Sequence, residues 1–249
     1  MADPFLYDGL SAHDLRMLLD LPIVEAYQSV GSTMDAGHAL GAAGAPGGSL
    51  VVAEEQTAGR GRGGRAWRSA AGSGLWIALL ERPIAAGGFD VLSLRLGIAA
   101  AGVLDRFAPA LVQLKWPNDL YVDSGKLGGI LIESRWRGSA LDWVMIGLGI
   151  NVRRPEDTEH ASSLLPGVRR VEVLAELIPA LRAAAAASGA LTLAELERFA
   201  ARDLARGRAC REPLRGIVRG IDAGGALVID APAGEWRTRA GSLVLEEEP

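Results

Sequence analysis

Residues 56–67 read QTAGRGRGGRAW, with three arginines and four glycines inside positions 59–65 and no acid among them. Arginines that close repel one another, and glycine surrenders the most conformational freedom on folding. A close-fitting anion would offset both penalties. The guanidinium fork matches carboxylate or phosphate, and a glycine backbone can turn its N–H groups onto a ligand. No G-K-[S/T] follows, which excludes a Walker A loop, and the helix and distant acid of a dinucleotide fingerprint are missing. Taken alone, the run equally suits a flexible basic surface loop or an RNA tether.

Three further stretches carry polar chemistry on glycine-punctuated strand ends. In KWPNDLY (115–121), an amide and a carboxylate follow a proline that restricts the turn. Such a pair can hold Mg²⁺ or orient an amine, or it can make an Asx turn. In GKLGGILIES (125–134), Lys126 opens an otherwise apolar strand, so its ammonium must reach water or an anion. Gly128 and Gly129 leave room for a ligand against the backbone. In GLGINV (147–152), Asn151 ends an apolar strand, where its amide suits a phosphate, a metal or a plain turn.

The elements that must position these groups are those of a mixed fold. The chain has 249 residues, about half of them apolar, and a net charge of −4. This is a globular composition with a core of useful size, and its acidity argues against a general nucleic-acid binder. Cys210 is the single cysteine and the three histidines are scattered, so neither a disulfide nor a zinc cluster is expected. With no signal-type N-terminus and no long apolar run, a cytoplasmic, membrane-free protein is expected.

SAHDLRMLLD predicts a short lead-in helix. PIVEAYQSVGSTMDAGHAL predicts a strand, then a helix that Ser32 and Thr33 are placed to cap. SLVVAEEQ and GLWIALLERP are strands, the second ended by Pro83. Leu92, Leu96, Ala99, Val103 and Phe107 describe one face of a helix over 90–107. LVQLKW is a strand running into a turn-rich loop, PNDLYVDSGK. LGGILIESRW and DWVMIGLGINV are strands, and 171–187 and 192–206 are helices. Four short strands over 214–245, with a hairpin turn at DAGG (222–225), end the chain. The fold class expected is α+β, a mixed or antiparallel sheet covered by helices, with a small β module beyond a boundary near 208.

GRGRGGRAW, KWPNDL, GKLGGIL and GLGIN, in that order, resemble the biotin protein ligases, and the likeness runs over nearly the whole chain. The resemblance implies a lead-in at 1–21, a catalytic domain at 22–208 like that of class II aminoacyl-tRNA synthetases, and an SH3-like barrel at 209–249. It implies that biotin reacts with MgATP to give biotinyl-5′-AMP, and that a lysine of a carboxylase's biotin carboxyl-carrier domain then takes the biotin. Biotin, ATP, Mg²⁺ and the carrier are thus the expected partners, with no metal bound by the protein itself. Ser32, Thr33, Gln56, Gly59, Arg60, Gly61, Arg62, Lys126 and Gly129 match the biotin site. Arg65, Trp67, Asn118, Asp119, Lys126 and Asn151 match the nucleotide site, with Asn151 and Asp119 as candidate metal ligands. Lys126, Arg60, Arg62 and Asp119 are the catalytic candidates, the three cations countering the repulsion of carboxylate and polyphosphate. Loop 59–67 is expected to be mobile without ligand and ordered over the adenylate.

Two departures stand out. Many members read Ser-Thr-Asn where this chain has Ser32-Thr33-Met34, and the match starts near residue 22, so no DNA-binding domain and no repressor role are expected. A lipoate or octanoate ligase or transferase of the same fold is the alternative enzyme, and an RNA-binding module the alternative class.

Overall fold

Period-two alternation in the apolar strands gives the central sheet two covered faces. The computed structural model describes residues 5–82, 87–155, 158 and 160–246. Its seven-stranded sheet holds β1 (Val24–Val30), β2 (Ser49–Gln56), β3 (Gly74–Glu81), β4 (Val112–Lys115), β5 (Asp119–Val122), β6 (Gly125–Arg137) and β7 (Ala140–Asn151). Their order is β1-β2-β3-β7-β6-β5-β4. β1 and β2 pair in parallel and the other neighbours are antiparallel, a mixed sheet as the sequence predicts.

Leu50, Val52, Ile77, Leu79, Ile146 and Leu148 enter the main core, together with α3 (Leu92–Leu104) and α4 (Arg170–Ala186). Val51, Ala78, Leu80 and Met145 enter a smaller cluster with Met34 of α2 (Thr33–Ala42). The opening segment is bound into the fold. Tyr7 and Leu15 are fully buried, and α1 (Ala12–Leu18) starts with a capping box between Ser11 and Asp14. Arg170 lies over the Tyr7 ring at 4.1 Å and pairs with Asp8 and Glu54.

Some local expectations change. PNDLYVDSGK is not all loop: it contains β5, which pairs with β4 and β6 because Leu120 and Val122 have a core to enter. The helix expected over 192–206 stops early, as α5 (Leu193–Ala200). Beyond it the chain bonds to edge strand β4 through Leu114 N–H to Arg202 O and Leu204 N–H to Leu114 O, so tertiary pairing overrides helical propensity. Ser32 stands at the N-cap of α2 without making a side-chain cap bond. Gln56 Oε1 takes over, accepting from Thr33 N at 2.9 Å and Thr33 Oγ1 at 3.0 Å. Pro83 lies outside the described residues.

The C-terminal region forms a second, antiparallel sheet of β8 (Ala209–Glu212), β9 (Gly216–Ile221), β10 (Leu227–Ala231), β11 (Gly234–Thr238) and β12 (Val244–Leu245), ordered β11-β10-β9-β8-β12. That is one strand more than the sequence suggests. The DAGG turn closes with Gly225 N–H to Asp222 O, and Gly225 has φ +78°, a value glycine adopts without strain. Trp116 Nε1 donates to Gly225 O at 3.1 Å, a buried bond that joins the second sheet to the first. Among the described residues no helix is long and apolar enough to cross a membrane.

Candidate active site

Cross-strand register creates the floor of a cavity beside the arginine-glycine loop. Gly129 pairs with Gly149 and Leu131 with Gly147 across β6 and β7, which leaves three of these four positions without a side chain. Two residues from other elements lie down on the bare backbone. A Cβ at Gly149 would meet Trp67 Nε1 at 2.6 Å, and one at Gly147 would meet Met34 Sδ at 2.6 Å. Met34 is thus an apolar wall of the cavity, where an amide is common in the family that the sequence resembles. Gly128, by contrast, is a packing glycine, since its Cβ would meet Gly149 O at 2.4 Å.

The resulting cavity is about 460 Å³, a size suited to a small organic ligand. Of the residues singled out in the sequence, Thr33, Gln56, Arg60, Gly61, Arg62, Arg65, Trp67, Asn118, Asp119, Lys126 and Gly129 line it. Ser32, Gly59 and Asn151 do not line it. Gly59 packs under the loop, where a Cβ would meet Trp67 O at 2.6 Å. Ser32 and Trp67 each bury a polar atom, Oγ and Nε1, without a hydrogen-bond partner.

Lys126 is fixed by its backbone. Its N–H donates to His160 O and its carbonyl accepts from Ser162 N. Asn151 Nδ2 donates to that carbonyl and to Ser162 O, both at 3.2 Å. The Nδ2 of the Asn151 amide therefore holds the lysine's main chain. Lys126 Nζ reaches Asp119 Oδ1 at 2.7 Å and stands 5.3 Å from the Trp67 ring centroid.

The arginine-glycine loop folds over the cavity through a 3₁₀ turn at Arg62–Gly64, with Gly63 and Gly64 at positive φ. Arg60 is held by carboxylates: Nε and Nη2 donate to Glu133 at 3.0 and 3.1 Å, and Nη1 reaches Asp35 at 2.8 Å. The Glu133 bonds, and then Asp35, hold its guanidinium above the usual value despite partial burial. Arg62 and Arg65 meet neutral acceptors. Arg62 donates to Asn118 Oδ1 at 3.4 Å and Gly241 O at 3.1 Å, and Arg65 donates to Ser242 Oγ at 3.0 Å. Burial pushes the Arg62 guanidinium below its usual value, with Asp119 opposing.

Other lining residues escape the sequence reading. Lys115 is buried, lines the cavity and stands 5.6 Å from the Tyr121 ring centroid. Its place in KWPND could have signalled it. Ser242, Leu243 and Val244 also line the cavity, and no local pattern announces them. As a metal site the donor set is poor. Among the described residues Asp119 is the one carboxylate that lines the cavity, it is shared with Lys126, and no cluster of three or more His, Cys, Asp or Glu is present. The residues fit an ion that arrives on phosphate oxygens with its own waters, with Asp119 as the available protein carboxylate.

Ammonium and guanidinium groups edge a cleft of mixed polarity with an apolar floor, on a mixed sheet with a small second sheet beside it, an arrangement suited to an anionic ligand. The chain belongs to the Biotin/lipoate A/B protein ligase family, whose model matches residues 27–151. It is 34% identical over 219 residues to the biotin–[acetyl-CoA-carboxylase] ligase of Mycobacterium tuberculosis, covering 79% of each chain. It is 40% identical over 128 residues to the bifunctional ligase/repressor BirA of Bacillus subtilis, or 51% of this chain and 39% of that protein. The chain thus spans about two-fifths of the length of that relative. Among solved structures it resembles the biotin protein ligase from Aquifex aeolicus in complex with biotin and ATP. There the TM-score is 0.74 at 26% identity, over 90% of this chain and 98% of that one.

Proposed function

We propose that this protein is a biotin–[biotin carboxyl-carrier protein] ligase, which joins biotin to ATP as biotinyl-5′-AMP and passes the biotin to a carrier lysine. The observation that carries the reading is the cavity itself. Arg62, Arg65 and Lys126, from a loop and a strand far apart in sequence, meet over a glycine-stripped apolar floor.

In the first step a carboxylate oxygen of biotin bonds to the α-phosphorus while the bond to pyrophosphate breaks. Two like charges ~4 Å apart at an effective dielectric near ~20 repel by about 4 kcal/mol. Preorganised cations remove that repulsion and stabilise the charge of the transition state. Lys126 and Arg62 are assigned that role here, and Arg65, Trp67 and Asn118 face the nucleotide. The Trp67 Nε1–H offers a buried donor to a bound acceptor. Mg²⁺ would neutralise phosphate charge when it arrives with the nucleotide. In the second step the carrier amine attacks the acyl carbon, the bond to AMP breaks and the amine loses a proton. Asp119 is assigned to orient that amine or take its proton, with Thr33, Gln56, Gly61 and Gly129 around the biotin. Gln56 acts by holding Thr33 and Ser69. Ser32, Gly59 and Asn151 act from behind the cavity.

The five-stranded C-terminal sheet, from residue 209 onward, supports an SH3-like module whose 242–244 segment lines the cleft. Incubation with labelled biotin, ATP and a purified carrier domain tests the proposal. Carrier labelling that requires both substrates is expected. Tight binding of lipoate but not biotin in calorimetry would move the assignment to the lipoate branch of the family.

A further inference from the structure

Beyond the cavity, on the same face of the sheet, a chain of hydrogen bonds reaches Arg60 through Trp143, His38 and Glu133, none of which is among the candidate site residues. Trp143 Nε1 donates to His38 Nδ1 at 3.1 Å, and His38 Nε2 lies 2.8 Å from Glu133 Oε2. Glu133 grips Arg60 with both oxygens, and Asp35 closes the other side of the guanidinium. Glu133 stands two residues past the cavity-lining Leu131 on β6, Trp143 lies on neighbouring β7, and Asp35 and His38 are one turn apart on α2. Two strands, a helix and the loop therefore converge on one carboxylate.

The chemistry fixes the histidine. An indole N–H only donates, so His38 Nδ1 accepts, and the neutral ring carries its proton on Nε2, where it donates to Glu133. A carboxylate that serves an arginine fork needs both oxygens in the guanidinium plane. A third bond on Oε2 restricts its rotation. His38 is mostly buried, at 12% side-chain exposure, and Glu133 is partly so, at 32%. Burial would raise the Glu133 carboxyl, but the bonds from Arg60 and His38 outweigh it and hold it below the usual range.

We propose that His38, oriented by Trp143, is a positioning residue that locks Glu133 in the rotamer gripping Arg60 and so fixes where the arginine-glycine loop leaves the sheet. Its importance for catalysis rests on the reading of that loop as the cover of the biotin cleft. The local claim does not. It also divides the motif's arginines: Arg60 is a post whose charge is matched, and Arg62 and Arg65 carry charge to the ligand.

The test uses the full chain. With ¹⁵N-histidine labelling at neutral pH, His38 should show the proton on Nε2 in the free protein. His38→Leu should speed tryptic cleavage at the loop arginines by about tenfold, the scale of a lost charge-assisted bond, and weaken biotin binding. His38→Gln, whose amide can accept from Trp143 and donate to Glu133, should restore both to within about twofold. Trp143→Phe serves as the second variant, and should redistribute the tautomer where His38→Leu folds poorly. A wild-type Nδ1–H tautomer, or a folded His38→Leu protein with wild-type loop cleavage, overturns the proposal. So does a His38→Gln protein no better than His38→Leu. If wild-type protein binds no biotin while tautomer and cleavage behave as stated, the ligase reading falls and the positioning role stands.

Discussion

The two ends of the arginine-glycine loop are held by opposite kinds of partner. At its root, Arg60 is enclosed by Glu133 and Asp35, carboxylates from the sheet and α2. Toward its far end, the hydrogen bonds of Arg62 and Arg65 among the described residues go to an amide oxygen, a main-chain carbonyl and a hydroxyl. A guanidinium whose charge is matched by carboxylates is a structural post. One held by neutral dipoles keeps its charge for an incoming anion, at lower desolvation cost to that anion. Three arginines that look equivalent in sequence are therefore expected to fail in different ways.

The largest difference should come from Arg62→Ala beside Arg60→Ala. Loss of a preorganised cation costs on the order of 10²–10³ in rate, so Arg62→Ala should nearly stop biotin-dependent pyrophosphate release with little change in melting temperature. Lys126→Ala should match it. If Arg60→Ala loses as much rate with unchanged stability, the division of roles fails. Next, Arg60→Ala should lower stability by about 2 kcal/mol, because the partly buried Glu133 carboxylate loses its two-pronged partner, as read in urea unfolding. The adenylation rate should fall less than in Arg62→Ala.

A smaller effect is expected where the two sheets meet. Asp203 bridges to Leu114 of the first sheet, and burial pushes its carboxyl up to about 6. An acid with a raised folded pKa favours the folded state below its ordinary value of 3.8, and that contribution is lost as pH rises to about 6. Asp203→Asn keeps an acceptor for Ala205 N and removes the charge. It should gain about 1 kcal/mol at pH 7.5 and nothing at pH 4, seen as a higher melting temperature only at the higher pH. The smallest effect belongs to Ser242→Ala. A single exposed bond to Arg65 is worth about 1 kcal/mol at most, so apparent ATP affinity should change only a few-fold. A hundredfold loss would mean that the C-terminal segment, not the loop, holds the nucleotide.

Much of this was legible because strand alternation and glycine leave local marks. In sequence, Gly128 and Gly129 both leave room for a ligand; Gly129 does line the cavity, whereas Gly128 packs on the Gly149 carbonyl. The site's cations were legible as residue types, but their partners were not. Arg60 and Glu133 are 73 residues apart, and Arg65 and Ser242 are 177 apart, so only the folded chain reveals which arginine is neutralised. β5 was missed because a four-residue strand between turns has too short a period to register. The end of α5 was missed because the competing bonds come from β4.

The loop is also pinched at its base. Trp67 N–H donates to Gly59 O and Gly61 N–H to Arg65 O, both at 2.8 Å, and the Trp67 indole rests on Gly149. A segment tied across itself in this way has fewer independent backbone torsions than an open loop of its length. At roughly 1–2 kcal/mol per ordered residue, the tie lowers the entropy that ordering the glycine run over a ligand would cost.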